Sequence, residues 1–361
     1  MVKTKASLVL FCAVLLAGCG ASGVASSPHP EQLVFPAGAP GRFLSLGASG
    51  DELYAVFSDA ESTTLKLAEV PLGPHLPATP PAAAVIDRID IAPPLSPSFG
   101  AHVLSVNDNV VSILYRARQG EEKSVLKLAT KASGAESWTL DIVEPSGDPV
   151  ALLPTDKGSL SLFWAAGSLL MRGYPGTSPA VTLVNGFHSL ARASVFGPTG
   201  FTAFDGASRS LLEITRSGGS YSPRVIAGAG AVQSSTLLPD GRLAVLTWDA
   251  AARRLLLLEE PREGDAISRT TVTLCDETTN VALVPVRDGY FFLFDESRRG
   301  GVGGPQHVLS MISHQGIRYR KTVLLAGAER IEGFSAVKAA DGLYILALQG
   351  GVKLLRVPVS P

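Results

Sequence analysis

The sequence predicts an all-β fold in which one four-stranded antiparallel unit is repeated seven times. Three observations predict it. First, short apolar runs rich in β-branched and aromatic residues recur: "LYAVF" (53–57), "VVSILY" (110–115), "LSLFW" (160–164), "LAVLTW" (243–248), "YFFLF" (290–294) and "LYILAL" (343–348). Second, the turns "SGDE", "NDN", "TDKG", "GPTG", "PDG", "RDG" and "ADG" recur at spacings of roughly 40–58 residues, the length of one such unit. Asp-Gly and Asn-rich pairs suit tight hairpins because they tolerate positive φ. Third, each unit opens on a polar residue and, three positions later, usually has a small one: Arg42/Ser45, His102/Ser105, Asp148/Ala151, His188/Ala191, Gln233/Thr236, Asn280/Leu283 and Glu332/Ser335.

The elements of one unit are clearest in the fifth, where "SSTLLP", "RLAVLTW", "RLLLLEE" and "SRTTVTL" read as four successive strands. The last unit supplies only three, ending at "KLLRVPV" (353–359), while "QLVFPA" (32–37) near the N-terminus is left over. The leftover run is expected to complete the last sheet. Taken together, these features resemble a seven-bladed β-propeller over about 330 residues. In that fold the first strands of the blades converge on an axis where bulky side chains would collide, which accounts for the small residues. Eight blades, or a pair of β-sandwiches, also accommodate the strand count. Two insertions break the rhythm. "PLGPHLPATPP" (71–81) reads as an extended, solvent-exposed loop. "ESRRGGVGGPQ" (296–306) falls between the second and third strands of the sixth unit, on the face where first strands begin.

Composition sets the outer limits. With 46% hydrophobic and 17% charged residues, the chain is globular rather than disordered. A net charge of −1 gives it no basic excess with which to neutralise phosphates, so nucleic acid is not an expected partner. Glycine (37) and proline (25) favour turns over helices. Beyond the N-terminal Cys12 and Cys19, Cys275 stands alone, so an intrachain disulfide framework is excluded and Cys275 reads as a small buried hydrophobe.

The N-terminus indicates where the protein works. Lys3 and Lys5 precede an apolar stretch, Ala6 to Leu16, that is too short to span a bilayer. Leu16-Ala17-Gly18-Cys19 follows, and this resembles the lipobox of bacterial lipoproteins. The resemblance implies cleavage after Gly18 and acylation of Cys19. Two or more acyl chains give a stable anchor at about 0.8 kcal/mol per buried methylene. Residues 1–18 are then a signal peptide, 19–30 a lipidated cysteine with a flexible tether reaching roughly 18 Å, and 31–361 the β-domain. Gly20, in place of aspartate, implies the outer membrane if the cell has two.

Catalytic motifs are sparse. The histidines do not recur at metal-ligand spacing, there is no cysteine cluster, no G-x-S-x-G elbow, and no glycine-rich phosphate loop between strand and helix, so neither metal nor cofactor is expected. Sialidases share the propeller fold, but "LLPDGRLAV" keeps only the Asp-Gly of their S-x-D-x-G-x-T-W turn. "SGAESWTLD" (133–141) resembles a single copy of the quinone-type propeller repeat. The candidate binding face is the ring of strand-opening residues, Arg42, His102, Asp148, His188, Gln233, Asn280 and Glu332, joined by Arg298 and Arg299. The expected function is a monomeric, membrane-anchored envelope module, non-enzymatic, that binds a protein or glycan. The alternative is a hydrolase or lyase acting on polysaccharide through ring histidine, arginine and carboxylate groups. The anchor is directly testable: Cys19→Ser should move the protein from the membrane to the soluble fraction, and continued sedimentation with membranes would refute the acylated cysteine.

Overall fold

The structure is a computed structural model. It describes residues 30–359 apart from 37–39, 60–63, 88–101, 108–109, 120–122, 133–134, 145–146, 156–158, 176, 186–189, 206–207, 227–228, 231, 239, 262–266, 287–288, 299–304, 316–317 and 340–341. Cys19, the lipobox and most of the tether lie outside the described residues.

Among the described residues, 28 strands form seven four-stranded antiparallel sheets. The first strand, β1 (Glu31–Val34), stands apart from the order that follows. Blade 1 holds β2 (Pro40–Ser49), β3 (Glu52–Asp59), β4 (Leu65–Pro71) and β5 (Ala84–Asp87). Blade 2 holds β6 (His102–Asn107), β7 (Val110–Gln119), β8 (Lys123–Ala132) and β9 (Thr139–Val143). Blade 3 holds β10 (Asp148–Pro154), β11 (Leu160–Ala166), β12 (Leu169–Tyr174) and β13 (Thr177–Asn185). Blade 4 holds β14 (Leu190–Gly197), β15 (Gly200–Asp205), β16 (Ser210–Ser217) and β17 (Ser220–Ile226). Blade 5 holds β18 (Gln233–Leu237), β19 (Leu243–Asp249), β20 (Arg254–Glu259) and β21 (Ser268–Leu274). Blade 6 holds β22 (Val281–Val286), β23 (Gly289–Arg298), β24 (Gln306–Gln315) and β25 (Arg318–Gly327). Blade 7 holds β26 (Gly333–Ala339), β27 (Gly342–Leu348) and β28 (Val352–Pro358), and its fourth strand is β1. Each blade's first strand touches the first strands on both sides, and the contact of β26 with β2 completes the circle. The chain is therefore a seven-bladed β-propeller.

Closure is specific. Strand β1 pairs antiparallel with β28, Glu31 opposite Arg356 and Val34 opposite Lys353, and the Phe35 N–H extends the pairing by donating to the Val352 carbonyl at 3.0 Å. Glu31 then ties the seam to blade 1. Its carboxylate accepts from the Leu76 N–H at 2.7 Å, meets His75 Nδ1 at 2.8 Å and pairs with the buried Arg356 at 3.3 Å. Burial pushes the Glu31 carboxyl up, but the Leu76 N–H, His75 and Arg356 outweigh it and hold it below its ordinary value. The proline-rich loop is thus less exposed than its composition suggests, since Leu72 and Leu76 pack on the core between blades 7 and 1.

That core is one of seven, one for each pair of neighbouring blades. Strand β27 shows the principle. Leu343, Ile345 and Ala347 pack toward blade 6, while Tyr344, Leu346 and Leu348 pack toward blade 1. Side chains alternate across a strand, so a sheet sandwiched between two others needs apolar residues at both parities. All seven residues of β27 are buried, and the runs picked out in the sequence are continuous for this reason.

Near the axis, space is short. Alanine 151 is fully buried, and a Cβ added to Gly47 on β2 would lie 2.6 Å from Val106 Cγ2 on β6 of the next blade. The inner strands also have a free edge, and serine hydroxyls serve it. Leu46 N–H donates to Ser335 Oγ at 3.1 Å, Ser235 N–H to Ser194 Oγ at 2.9 Å, and Leu283 N–H to Ser234 Oγ at 3.0 Å. In each case the acceptor stands on the preceding blade. Each bond satisfies a backbone donor the ladder leaves unpaired and locks two blades together. Gly47→Ala should destabilise the fold by about 1–3 kcal/mol in urea unfolding, with Val106→Ala recovering part of the loss. Equal stability of Gly47→Ala and the parent would refute the close approach.

Candidate functional site

Every blade begins at its inner strand, so the strand-opening residues gather at one end of the ring. His102, Asp148 and Gln233 are the first residues of β6, β10 and β18, while Asn280 and Glu332 directly precede β22 and β26. Position 42 lies in β2, and the description there stops at the backbone. His188 and Arg299 lie outside the described residues.

The ring is not one uniform lining. His102, Asp148 and Gln233 are buried, Asn280 is half-buried and Glu332 is exposed. Two of the buried residues, Asp148 and Gln233, reach sideways to the second strand of the blade before them. Asp148 Oδ1 accepts from Arg116 Nη1 of β7 at 3.4 Å, and Arg116 also donates from Nε and Nη2 to Ser124 Oγ at 3.0 and 2.6 Å. Burial pulls the Arg116 guanidinium down from its ordinary pKa, and the Asp148 charge opposes that pull. Gln233 Oε1 accepts from Thr202 Oγ1 of β15 at 3.0 Å, and the Thr202 and Ser235 hydroxyls stand 2.8 Å apart. These are polar struts between blades. Burial also pulls the His102 imidazole from 6.5 to about 4, so this ring is neutral in the folded protein.

Exposed polar groups collect instead at blades 6 and 7. There a shallow pocket is lined by Glu277, Thr278 and Thr279 before β22, by Glu296, Ser297 and His307 around the β23–β24 connection, and by Arg330 and Ile331 before β26. This places the start of the glycine-rich insertion on the strand-opening face. Asp295, at the pocket floor, organises the wall. Its Oδ1 accepts from Thr278 Oγ1 (2.7 Å), the Thr279 N–H (2.9 Å) and the Asn280 N–H (2.7 Å), and its Oδ2 accepts from Thr279 Oγ1 (2.7 Å). The carboxylate thus fixes the turn that carries Asn280.

Glu296 gathers Ser310 Oγ at 2.6 Å, Arg298 Nη2 at 2.7 Å and Lys321 Nζ at 2.9 Å. Burial raises the Glu296 carboxyl, and these donors more than reverse it, so it stays ionised below its ordinary range. Arg298 therefore folds back on its own blade. Ser297 Oγ and His307 Nδ1 lie 2.9 Å apart, Arg330 remains exposed at the lip, and Glu332 is exposed just after the lining residue Ile331. Sequence reasoning missed Glu277, Ser297, His307 and Arg330. The available signal was the polar "DESR" ending an otherwise apolar second strand, which marks where β23 leaves the core for this face.

Cys275 is buried, with its Sγ 3.4 Å from the Glu277 carbonyl. Burial and the neighbouring Glu296 charge push the thiol up to about 12, which makes it unreactive at neutral pH. Among the described residues, no group of three or more His, Cys, Asp or Glu is arranged to hold a metal ion.

No protein-family model matches the sequence, and no characterised protein matches it by sequence. Solved structures resemble it in fold. YCF48 bound to D1 peptide superposes with a TM-score of 0.61 at 14% identity, over 93% of this chain and 97% of that one. A catalytically inactive virginiamycin B lyase from Staphylococcus aureus with quinupristin gives 0.57 at 8% identity, over 91% and 98%. The polysaccharide lyase Uly1 gives 0.52 at 8% identity, over 89% and 90%. At these identities the likeness is one of architecture.

The His102 environment has a pH consequence. An unfolded chain binds a proton at His102 below about pH 6.5, whereas the folded chain resists until about pH 4. Stability is therefore whole above pH 6.5 and falls as pH drops toward 4, with His102 contributing at most about 3 kcal/mol of the loss. His102→Gln should lose less stability than the parent between pH 7 and pH 4.5 in denaturant titrations. Parallel pH profiles would contradict a buried neutral imidazole.

Proposed function

We propose that this protein is a lipid-anchored, non-enzymatic propeller that binds a partner protein segment in the cell envelope through the strand-opening face at blades 6 and 7. One observation carries the reading. The buried strand-opening side chains, Asp148 and Gln233, are engaged between blades, while Glu277 and Arg330 stand exposed at a fixed polar pocket and Glu332 is exposed next in the chain after its lining residue Ile331. A rigid scaffold presenting exposed polar groups suits recognition, and the engaged Asp148 is poorly placed for acid–base work on a substrate.

Further support comes from fold and sequence. Propellers bind segments across such faces, and YCF48, a structural neighbour, is seen with a peptide. The lipobox resemblance at Cys19 and the tether behind it keep the propeller near a membrane surface. The fold alone does not separate a binder from a polysaccharide-cleaving enzyme, so the choice rests on the face.

Photo-crosslinking residues placed at Arg330 and Glu332 in living cells should yield a discrete adduct with an envelope protein, and one at Val225 on the outer strand of blade 4 should not. Absence of adducts at both face positions, or polysaccharide cleavage by the purified protein, would overturn this function.

A further inference from the structure

The seam fixes the side from which the chain enters the ring. In blade 7 the register places Gly333, Leu348 and Val352 at the strand-opening end, and Ala339, Gly342 and Pro358 at the other. Strand β1 runs toward the strand-opening end, from Glu31 opposite Arg356 to Val34 opposite Lys353. The chain therefore enters from the side away from the strand-opening face.

The proline-rich loop between β4 and β5 stands on that same side. It follows Pro71, which pairs with Glu52 at the far end of blade 1. Three bonds pin it. Leu72 N–H donates to the Asp51 carbonyl at 2.7 Å, the Tyr344 hydroxyl to the Gly73 carbonyl at 3.3 Å, and Leu76 N–H to the Glu31 carboxylate at 2.7 Å. The first residue of the ring thus touches the middle of the loop.

The loop also differs chemically from the strand-opening face. From Leu72 through Ile86 there is no aspartate, glutamate, lysine or arginine. With Leu72 and Leu76 packed inward, the exposed positions are His75 and the small uncharged Pro74, Ala78, Thr79, Ala82 and Ala84. Asp51 is the exposed charge at the loop's root. The strand-opening face instead exposes Glu277, Glu329, Arg330 and Glu332. Charged groups are costly to bring to a lipid boundary, and an uncharged loop costs least.

We propose that this loop is the bilayer-facing surface of the anchored protein, so that the strand-opening face looks away from the membrane. The inference rests on the lipid-anchored reading above. Residues 20–30 join Cys19 to Glu31 and reach roughly 18 Å. The seven residues of β26 separate the two faces by about 20 Å. Entering beside the loop, a tether of that reach brings the loop to the lipid. Turning the strand-opening face to the lipid would require the same tether to round the disc first. The partner segment is then one that projects into the aqueous space, not one embedded in the bilayer.

Depth-dependent quenching on the full acylated chain provides the test, in vesicles of phosphatidylethanolamine and phosphatidylglycerol that carry a nitroxide on the headgroup. A nitrobenzoxadiazole probe is attached to Thr79→Cys or, separately, to Arg330→Cys, while the buried Cys275 stays unlabelled. Quenching should be at least about twofold stronger at 79 than at 330. Equal quenching at the two positions, stronger quenching at 330, or a protein that floats with the vesicles while residue 79 stays unquenched would overturn the proposal and leave the anchor standing. A protein that does not float with the vesicles would refute the anchor itself, and this orientation with it.

Discussion

Every sheet in this protein is apolar on both faces, and the rest of the structure depends on that. A blade such as the fourth, with Phe201 and Ala203 facing one neighbour and Phe204 and Leu211 facing the other, has no solvent-compatible side. At about 1.5–3 kcal/mol for each large apolar side chain returned to water, an isolated blade would be unstable. Only a ring gives each blade two neighbours. A ring in turn requires that the chain's two ends meet, and β1 beside β28 is where they do. Closure also removes the exposed interface that an open array of blades would present at each end.

Ring geometry sets local chemistry in turn. At the axis, first strands come together with one edge unpaired. Glycine 47 and Ala151 make room, and serines at 194, 234 and 335 supply acceptors for backbone donors of the next blade. Farther out, Asp148 with Arg116 and Gln233 with Thr202 join blades by polar contacts that are themselves buried. A half-satisfied pair of that kind would be costly, which accounts for the additional bonds from Arg116 to Ser124. The consequence for function is a division of labour. Polar residues deep in the ring hold it together, and under the proposed function recognition passes to exposed groups on one face.

Much of the fold was legible in the sequence because its cause is local. The runs "LAVLTW" and "LYILAL" and the turn at Asp240–Gly241 report strands and hairpins directly, and Gly241 does adopt a positive φ of 82°. The leftover N-terminal run and the missing strand of the last unit implied the seam. Less was legible at the site. The strand-opening residues were found as a pattern, but the pattern does not say which of them are buried. Burial of Asp148 depends on Arg116, 32 residues earlier on another blade, and the fixing of Asn280 depends on Asp295 across a hairpin.

The central claim is that the chain's ends share one sheet, and the register names a pair that tests it. Val34 is half exposed and lies directly opposite Lys353. Under mild oxidation, the double variant Val34→Cys/Lys353→Cys should form an intramolecular disulfide, read as a faster-migrating monomer on non-reducing gels and as a linked peptide pair by mass spectrometry. Free thiols at both positions, or links only between molecules, would contradict a closed ring.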